Sequence, residues 1–240
     1  MNIAIILAGG TGSRINSDIP KQFILLSGQM MILHSLKPFG ESALVDRIRI
    51  VAADEWREKI ENEMFSDPDS EISRKFLGFS DPGENRQMSI YNAMKDLQGD
   101  VADGRTELID GIIIHDAARP FVTVKDIDEC LKALDEHEGA MPVLPMSDTV
   151  YFSRSGKKVD ELLNRNCIYA GQAPEAFRFK EYLKANEELL PDRILLIRGS
   201  TEPAIMAGLD VAMIPGDRLN FKVTTDEDLQ RAIELIEREN

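Results

Sequence analysis

Residues 3–7, Ile-Ala-Ile-Ile-Leu, form a continuous apolar run that empties into Ala8-Gly9-Gly10-Thr11-Gly12-Ser13-Arg14. Both alternating faces of such a run are apolar, as expected for a parallel strand covered on both sides. The glycines that follow leave backbone N–H groups open to an anion. Arg14 and the Lys21 of Pro20-Lys21-Gln22-Phe23 add a rigid fork and a movable point charge. Such a loop suits a nucleoside triphosphate. For the glycines alone, a tight strand-to-helix turn serving only positive φ is an equal reading. A Walker loop needs Gly-Lys-Ser/Thr at a spacing this chain lacks, and Ile15 spoils a dinucleotide fingerprint after Gly10-Thr11-Gly12.

The remaining composition narrows the partners. At 240 residues the chain fits one α/β domain with insertions, residues 1–240, and no repeat or linker divides it. No run approaches a membrane span, and residues 3–7 are too short for a signal-peptide core and lack a basic leader, so a cytoplasmic protein is expected. The net charge of −14 argues against nucleic acid as a partner. An acidic protein that binds polyanions must gather its cations in one cleft, which makes clustered Arg and Lys informative. Cys130 and Cys167 support neither a disulfide framework nor a zinc site.

Strand and helix patterns alternate along the chain. Residues 31–36 read as a helix with a structural His34, 47–53 as a strand with Asp54 capping the next helix, and 76–79 as a third strand. Residues 111–114 are a further buried strand ending in His115-Asp116-Ala117-Ala118-Arg119-Pro120, at the end where such sheets bind ligands. Thr123 caps a helix whose apolar face includes Cys130. Phe221-Lys222-Val223 reads as a short strand before a helix capped by Thr225. The alternation predicts a mostly parallel sheet between helices. One segment breaks it: residues 147–169 hold Val150-Tyr151-Phe152, a turn around Gly156, then Val159, Leu162 and Leu163, which reads as a projecting β arm. Exposed apolar side chains on a hairpin need cover, so a second copy of the chain is expected there, against the alternative of an excursion folded back on its own sheet.

Charge meets loop geometry at Gly9 to Arg14 with Lys21, at Asp116 with Arg119, at Thr149 with Arg165, and at Asp217 with Lys222. Together these describe a nucleotidyl transfer site, which needs charge neutralisation and alignment rather than an activated Ser or Cys. Taken singly each is ambiguous. Asp116 is either a turn residue or a ligand of Mg²⁺, an ion held by one or two carboxylates plus phosphates; Arg165 and Lys222 equally suit a solvated surface.

The chain resembles the cytidylyltransferases that make CDP-activated polyols, those acting on 2-C-methyl-D-erythritol 4-phosphate and on ribitol 5-phosphate. The resemblance runs nearly end to end, through the two N-terminal motifs, His115-Asp116-Ala117-Ala118-Arg119-Pro120, Asp148-Thr149, Asn164-Arg165, Gln172-Ala173-Pro174-Glu175-Ala176-Phe177 and Asn220-Phe221-Lys222-Val223-Thr224. It implies a Rossmann-like, three-layer nucleotidyltransferase fold and transfer of CMP from CTP with release of pyrophosphate. By the same resemblance Arg14, Lys21 and Lys222 are the catalytic cations. Ala8, Gly9, Gly10, Thr11, Gly12 and Ala117 line the CTP, and Gly83, Arg86 and Ser89 belong to the cytosine-reading stretch. Asp116 is the Mg²⁺ ligand. Arg119, Thr149 and Arg165 match positions that hold the polyol phosphate, with Asp217 placed beside them, and the arm carries Thr149 and Arg165 into the neighbouring subunit of a homodimer.

Three departures stand out: Pro82 in place of a usual glycine, Met88 in place of a polar residue, and Ser200-Thr201-Glu202-Pro203 in place of Thr-Asp-Glu/Ala. Ala8-Gly9-Gly10 and Tyr169-Ala170-Gly171-Gln172 lean to ribitol 5-phosphate, and Ala118 leans to methylerythritol phosphate; the balance tips slightly to ribitol. A binding protein that keeps the pocket without chemistry is the rival from another class. Retention of both Arg14 and Lys21 weighs against it, since binding alone tolerates losing transition-state contacts.

Overall fold

The computed structural model describes residues 1–10, 15–17, 19–67 and 69–239. The apolar N-terminal run is β1 (Asn2–Leu7). After a 3₁₀ turn at Lys21–Phe23 come β2 (Leu25–Leu26), β3 (Gln29–Met30), α1 (Met31–Glu41), β4 (Arg47–Val51), α2 (Asp54–Met64), α3 (Glu71–Lys75) and β5 (Phe76–Ser80). The chain continues through α4 (Arg86–Ala102), β6 (Gly111–Asp116), α5 (Val124–Ala133), β7 (Gly139–Pro145), β8 (Val150–Phe152), β9 (Glu161–Leu163), β10 (Tyr169–Gly171) and β11 (Glu175–Arg178). It closes with α6 (Phe179–Glu187), α7 (Thr201–Met206), β12 (Val211–Pro215) and α8 (Asp226–Glu239).

β1 lies between β4 and β6, parallel to both, and β5 extends the sheet beyond β4. On the other flank β11 runs antiparallel between β6 and β7, β10 continues along the same side of β7, and β12 adds a parallel strand outside it. Alternation along β1 divides the core. Ala4 and Ile6 face a cluster with Leu33, Phe39, Ile60, Ile127 and Cys130, from α1, α2 and α5. Ile3 and Ile5 face Ile90, Met94, Leu97, Tyr182 and Ala204, from α4, α6 and α7. The fold is thus the three-layer α/β sandwich with a mostly parallel sheet that the alternation predicted. Each fully buried isoleucine contributes about 1.5–3 kcal/mol by removal from water. Ile5→Ala would cost about 2–5 kcal/mol, because such a close-packed layer collapses only partly around a cavity.

A third cluster joins Ile15, Leu26, Met31, Ala118 and Val223 to Ala232 and Ile236 of α8, so the C-terminal helix packs over the loops rather than on the sheet. This bears on two corrections. Residues 221–223 alternate like a strand but form none: Val223 spends its N–H on the Ala118 carbonyl (2.8 Å) and its carbonyl on Lys21 Nζ (2.7 Å), leaving no ladder to extend. Asp54 is the first residue of α2 rather than its cap, and the N-cap position belongs to Ala53 with no side-chain hydrogen bond. Thr123 does cap α5, in a reciprocal capping box with Asp126.

The segment 147–169 carries a hairpin outside the main sheet, β8 against β9, with Val150 opposite Leu163 and Phe152 opposite Glu161. Tyr151, Phe152, Val159 and Leu162 on it are exposed, Leu162 by 62%.

Candidate active site

Chain order and sheet order diverge at β1. The chain steps outward from β1 to β4 and β5, then returns to lay β6 on the opposite side of β1. Ligands of open α/β sheets bind outside the carboxyl ends of strands at such a reversal. Leu7 and Asp116, the last residues of β1 and β6, are register partners there. A cleft of about 450 Å³ opens above them, lined by Gly9 and Gly10 after β1, by Gly83, Glu84, Asn85, Arg86 and Ser89 between β5 and α4, and by Asp116, Ala118, Lys21, Gln22 and Lys222.

Each wall has a local cause. Gln22 is buried and its Nε2 donates to the carbonyls of Ala8 (2.6 Å) and Gly10 (2.8 Å), fixing the base of the glycine loop. From the other side Pro82 seats on Gly9 so closely that a Cβ there would meet Pro82 Cβ at 2.6 Å; any other residue at position 9 must push the two loops apart. Asn85 caps α4 by accepting from Met88 N (2.8 Å). One turn in, Ser89 Oγ accepts from Gly83 N (2.9 Å) and donates to the Asn85 carbonyl (2.9 Å). A Cβ on Gly83 would overlap Met88 and Ser89, so the turn closes only with glycine.

At the floor lies Asp116, with Arg86 Nε at 3.0 Å from Oδ1, and Lys222 Nζ at 2.9 Å and Arg119 Nε at 3.6 Å from Oδ2. Burial opposes its charge, but Arg86 and Lys222 hold the carboxyl far below the usual range. Arg86 is likewise disfavoured by burial and is held protonated by Asp116 and Glu175. Next to it His115 is fully buried, with Nε2 3.1 Å from the Arg119 carbonyl and Nδ1 without a hydrogen-bond partner among the described residues. Burial pushes its pKa down to about 4, so it stands neutral as a scaffold for the turn. In an acidic chain, the cations of three loops converge on this spot.

The predicted site residues fall into groups. Gly9, Gly10, Lys21, Gly83, Arg86, Ser89, Asp116 and Lys222 line the cleft together, and Arg119 sits behind Asp116 with Nη1 donating to the Asn220 carbonyl (2.8 Å). Thr11, Gly12 and Arg14 lie outside the described residues. Ala8 and Ala117 stand back from the cleft surface. Ala8 is buried with its carbonyl taken by Gln22, and Ala117 is wholly buried, donating to Leu7 and accepting from Ser35; Ala118 meets the cleft instead. Asp217 is a turn residue, its Oδ1 accepting from Leu219 N (2.8 Å) and its backbone paired with the Gln172 side chain, and it does not line the cleft. Thr149 and Arg165 do not line this chain's own cleft either: both are exposed at the arm, and Arg165 Nη1 donates to the Ser147 carbonyl (2.7 Å).

Sequence reasoning gave no role to Gln22, Glu175 or Ser200, which the structure places against the loop and Arg86. Gln22 was within reach, standing directly after Lys21; the other two become neighbours only through the sheet.

Asp116 offers the cleft a carboxylate from the end of β6, and among the described residues no cluster of three or more His, Cys, Asp or Glu is arranged to hold a metal. That donor set fits Mg²⁺, which binds through few protein carboxylates and completes its shell with phosphates and water.

Comparison with known proteins agrees with this geometry. A family model described as IspD, 2-C-methyl-D-erythritol 4-phosphate cytidylyltransferase, matches residues 2–238. The chain is 32% identical over 232 residues to the 2-C-methyl-D-erythritol 4-phosphate cytidylyltransferase of Thermotoga neapolitana, spanning 97% of this chain and 95% of that protein. It is 34% identical over 236 residues to the protein of the same name from Rubrobacter xylanophilus, spanning 95% and 91%. The crystal structure of 4-diphosphocytidyl-2C-methyl-D-erythritol synthase from Anaerococcus prevotii superposes with a TM-score of 0.81 at 21% identity, over 99% of this chain and 98% of that one, which speaks for the fold.

Proposed function

The chain belongs to the IspD family and is a CTP-dependent cytidylyltransferase, and from that premise we propose that it transfers CMP from CTP to 2-C-methyl-D-erythritol 4-phosphate and releases pyrophosphate. The convergence of Lys21, Arg86, Arg119 and Lys222 on one carboxylate-floored cleft at the β1/β6 reversal is the observation that carries this reading.

The acceptor's phosphate monoester has a second pKa of about 6, so at neutral pH it arrives as an anionic nucleophile and needs no general base. Its oxygen attacks the α-phosphorus of CTP while the bond to the pyrophosphate oxygen breaks in line. Gly9, Gly10 and Lys21 face the triphosphate, Lys222 faces the incoming phosphate with Arg119 set behind Asp116, and the turn from Gly83 to Ser89 faces the base. Arg14 is assigned beside Lys21 by motif. Preorganised cations of this kind stabilise charge that spreads over the phosphorus oxygens, which is where most of the acceleration of such reactions arises. Asp116 would hold Mg²⁺, which would supply charge neutralisation at the phosphates. For that, Lys222 must yield part of its contact with the carboxylate, and its four-carbon stem permits the move.

The choice of acceptor follows the relatives. The sequence leaned slightly to ribitol 5-phosphate, but the family model and the relatives above are named for methylerythritol phosphate. Side-by-side assay of pyrophosphate release from CTP and Mg²⁺ with each acceptor decides between them. We expect turnover with methylerythritol 4-phosphate at least tenfold above ribitol 5-phosphate, a gap of about 1.4 kcal/mol. The reverse order would return the assignment to ribitol, and release with neither would overturn both.

A further inference from the structure

We propose that Glu175 is a positioning residue, holding the Arg86 guanidinium over the cleft through Ser200 so that the guanidinium keeps its place when Asp116 serves a metal. The inference rests on the proposed placement of CTP against Arg86.

Glu175 begins β11, opposite Ile114 of β6 and two residues from the strand end that carries Asp116. Its carboxylate is buried and has three partners. Thr201 Oγ1 donates to Oε1 (2.8 Å), Ser200 Oγ donates to Oε2, and Arg86 Nη2 stands 3.6 Å from Oε2. Arg86 Nη1 donates to the same Ser200 hydroxyl, so that serine links guanidinium and carboxylate in one chain of hydrogen bonds. Ser200 is itself fixed from behind, since its carbonyl accepts from Tyr182 Oη (2.6 Å). Tyr182 in turn accepts from Gln87, the residue after Arg86, whose amide also donates to Asn186 (2.6 Å). The network therefore ties both ends of the Arg86 turn to α6 and α7.

Its purpose follows from the chemistry of the floor. Arg86 has two anionic partners, Asp116 on the cleft side and Glu175 on the buried side. With Asp116 committed to a metal, the contact through Nε would weaken, and an arginine held only there would swing. A second carboxylate out of the ligand's reach keeps its plane fixed through the reaction. Supporting shells of this kind decide whether a site is held tightly enough to work. A plain charge argument gives the opposite expectation, because removing a buried negative charge near a triphosphate should tighten binding. The two accounts differ in sign.

The test is a double-mutant cycle on affinity for Mg²⁺·CTP, measured by titration calorimetry on parent, Glu175→Gln, Arg86→Ala and the double variant, with thermal melts alongside. This readout does not depend on which acceptor is used. We expect Glu175→Gln to weaken binding about tenfold in the parent and to have almost no effect once Arg86 is alanine. Ser200→Ala, which keeps both charges, should reproduce most of the loss. Equal or tighter binding by Glu175→Gln overturns the proposal, as do additive losses in the double variant, which would mark a general structural role. If Arg86→Ala itself binds as the parent does, the placement of CTP fails together with the proposal, and that result is distinct from additivity. Should Glu175→Gln melt below the assay temperature, Ser200→Ala against Arg86→Ala completes the cycle with the same two outcomes.

Discussion

At the scale of single residues, Lys222 is held both by the distant Asp116 and by the helix start that follows it. Lys222 stands in a segment with no ladder of its own, so the helix that follows must fix it. Asp228, in the first turn of α8, accepts at Oδ2 from Thr224 N (2.9 Å), Thr224 Oγ1 (2.7 Å) and Thr225 N (3.0 Å), while Thr225 Oγ1 accepts from Asp228 N (3.2 Å). Partial burial would raise the Asp228 pKa, but these hydrogen bonds outweigh it and set the carboxyl below its ordinary value. The sign follows: a carboxyl depressed in the folded state stabilises fully above the unfolded value of about 3.9, and that contribution is lost as pH falls through the lower, folded value. Asp228→Asn should therefore cost about 1 kcal/mol in urea unfolding at neutral pH, with the gap to the parent closing in acid. A gap that stays constant with pH would show that the carboxylate's charge plays no part. The same residue scale explains what was hidden in the sequence. Lys21, Asp116 and Lys222 were legible because each sits in a short ordered motif. Glu175 sits in a motif as well, but its role was hidden, because its partner Ser200 lies 25 positions on and meets it only in the fold.

At the scale of elements, legibility tracked burial. β1 and β6 announce themselves by unbroken apolar runs, as parallel strands covered on both faces do, and β4 by isoleucines alternating with Arg47 and Arg49. β7, β10, β11 and β12 do not. β7 is interrupted by Pro142 and ends at Pro145, β10 and β11 are short and start on polar groups, and β12 is an edge strand with Met213 exposed. The arm was visible as a break in the alternation, and β8 and β9 are its hairpin. Its exposed Tyr151, Phe152 and Leu162 make sense against a second copy of the chain, which would also bring Thr149 and Arg165 to a partner's cleft. That assignment predicts complementation. Mixing Arg165→Ala with Lys21→Ala, each nearly inactive alone, should recover up to about a quarter of parental activity after subunit exchange, since in a shared-site dimer one composite site escapes both changes. Verified exchange with no recovery would place both residues in one subunit's site or deny Arg165 a role.

For the molecule as a whole, the account joins a charge problem to a topology. A chain of net charge −14 collects cations at the carboxyl ends of β1 and β6, where two polyanionic substrates would have to meet. Among the described residues no helix is long and apolar enough to cross a membrane. The opening strand and glycine loop supply one wall of that cleft, the turn after β5 a second, and the residues between β12 and α8 the third. The central claim is that the acceptor's phosphate oxygen attacks the α-phosphorus of CTP within it. Acceptor bearing oxygen-18 in its phosphate, turned over with unlabelled CTP and Mg²⁺ and followed by mass spectrometry, tests this most directly. The account predicts full retention of label in the CDP-linked product and none in pyrophosphate; label in pyrophosphate, or loss of a labelled oxygen from the product, would contradict it.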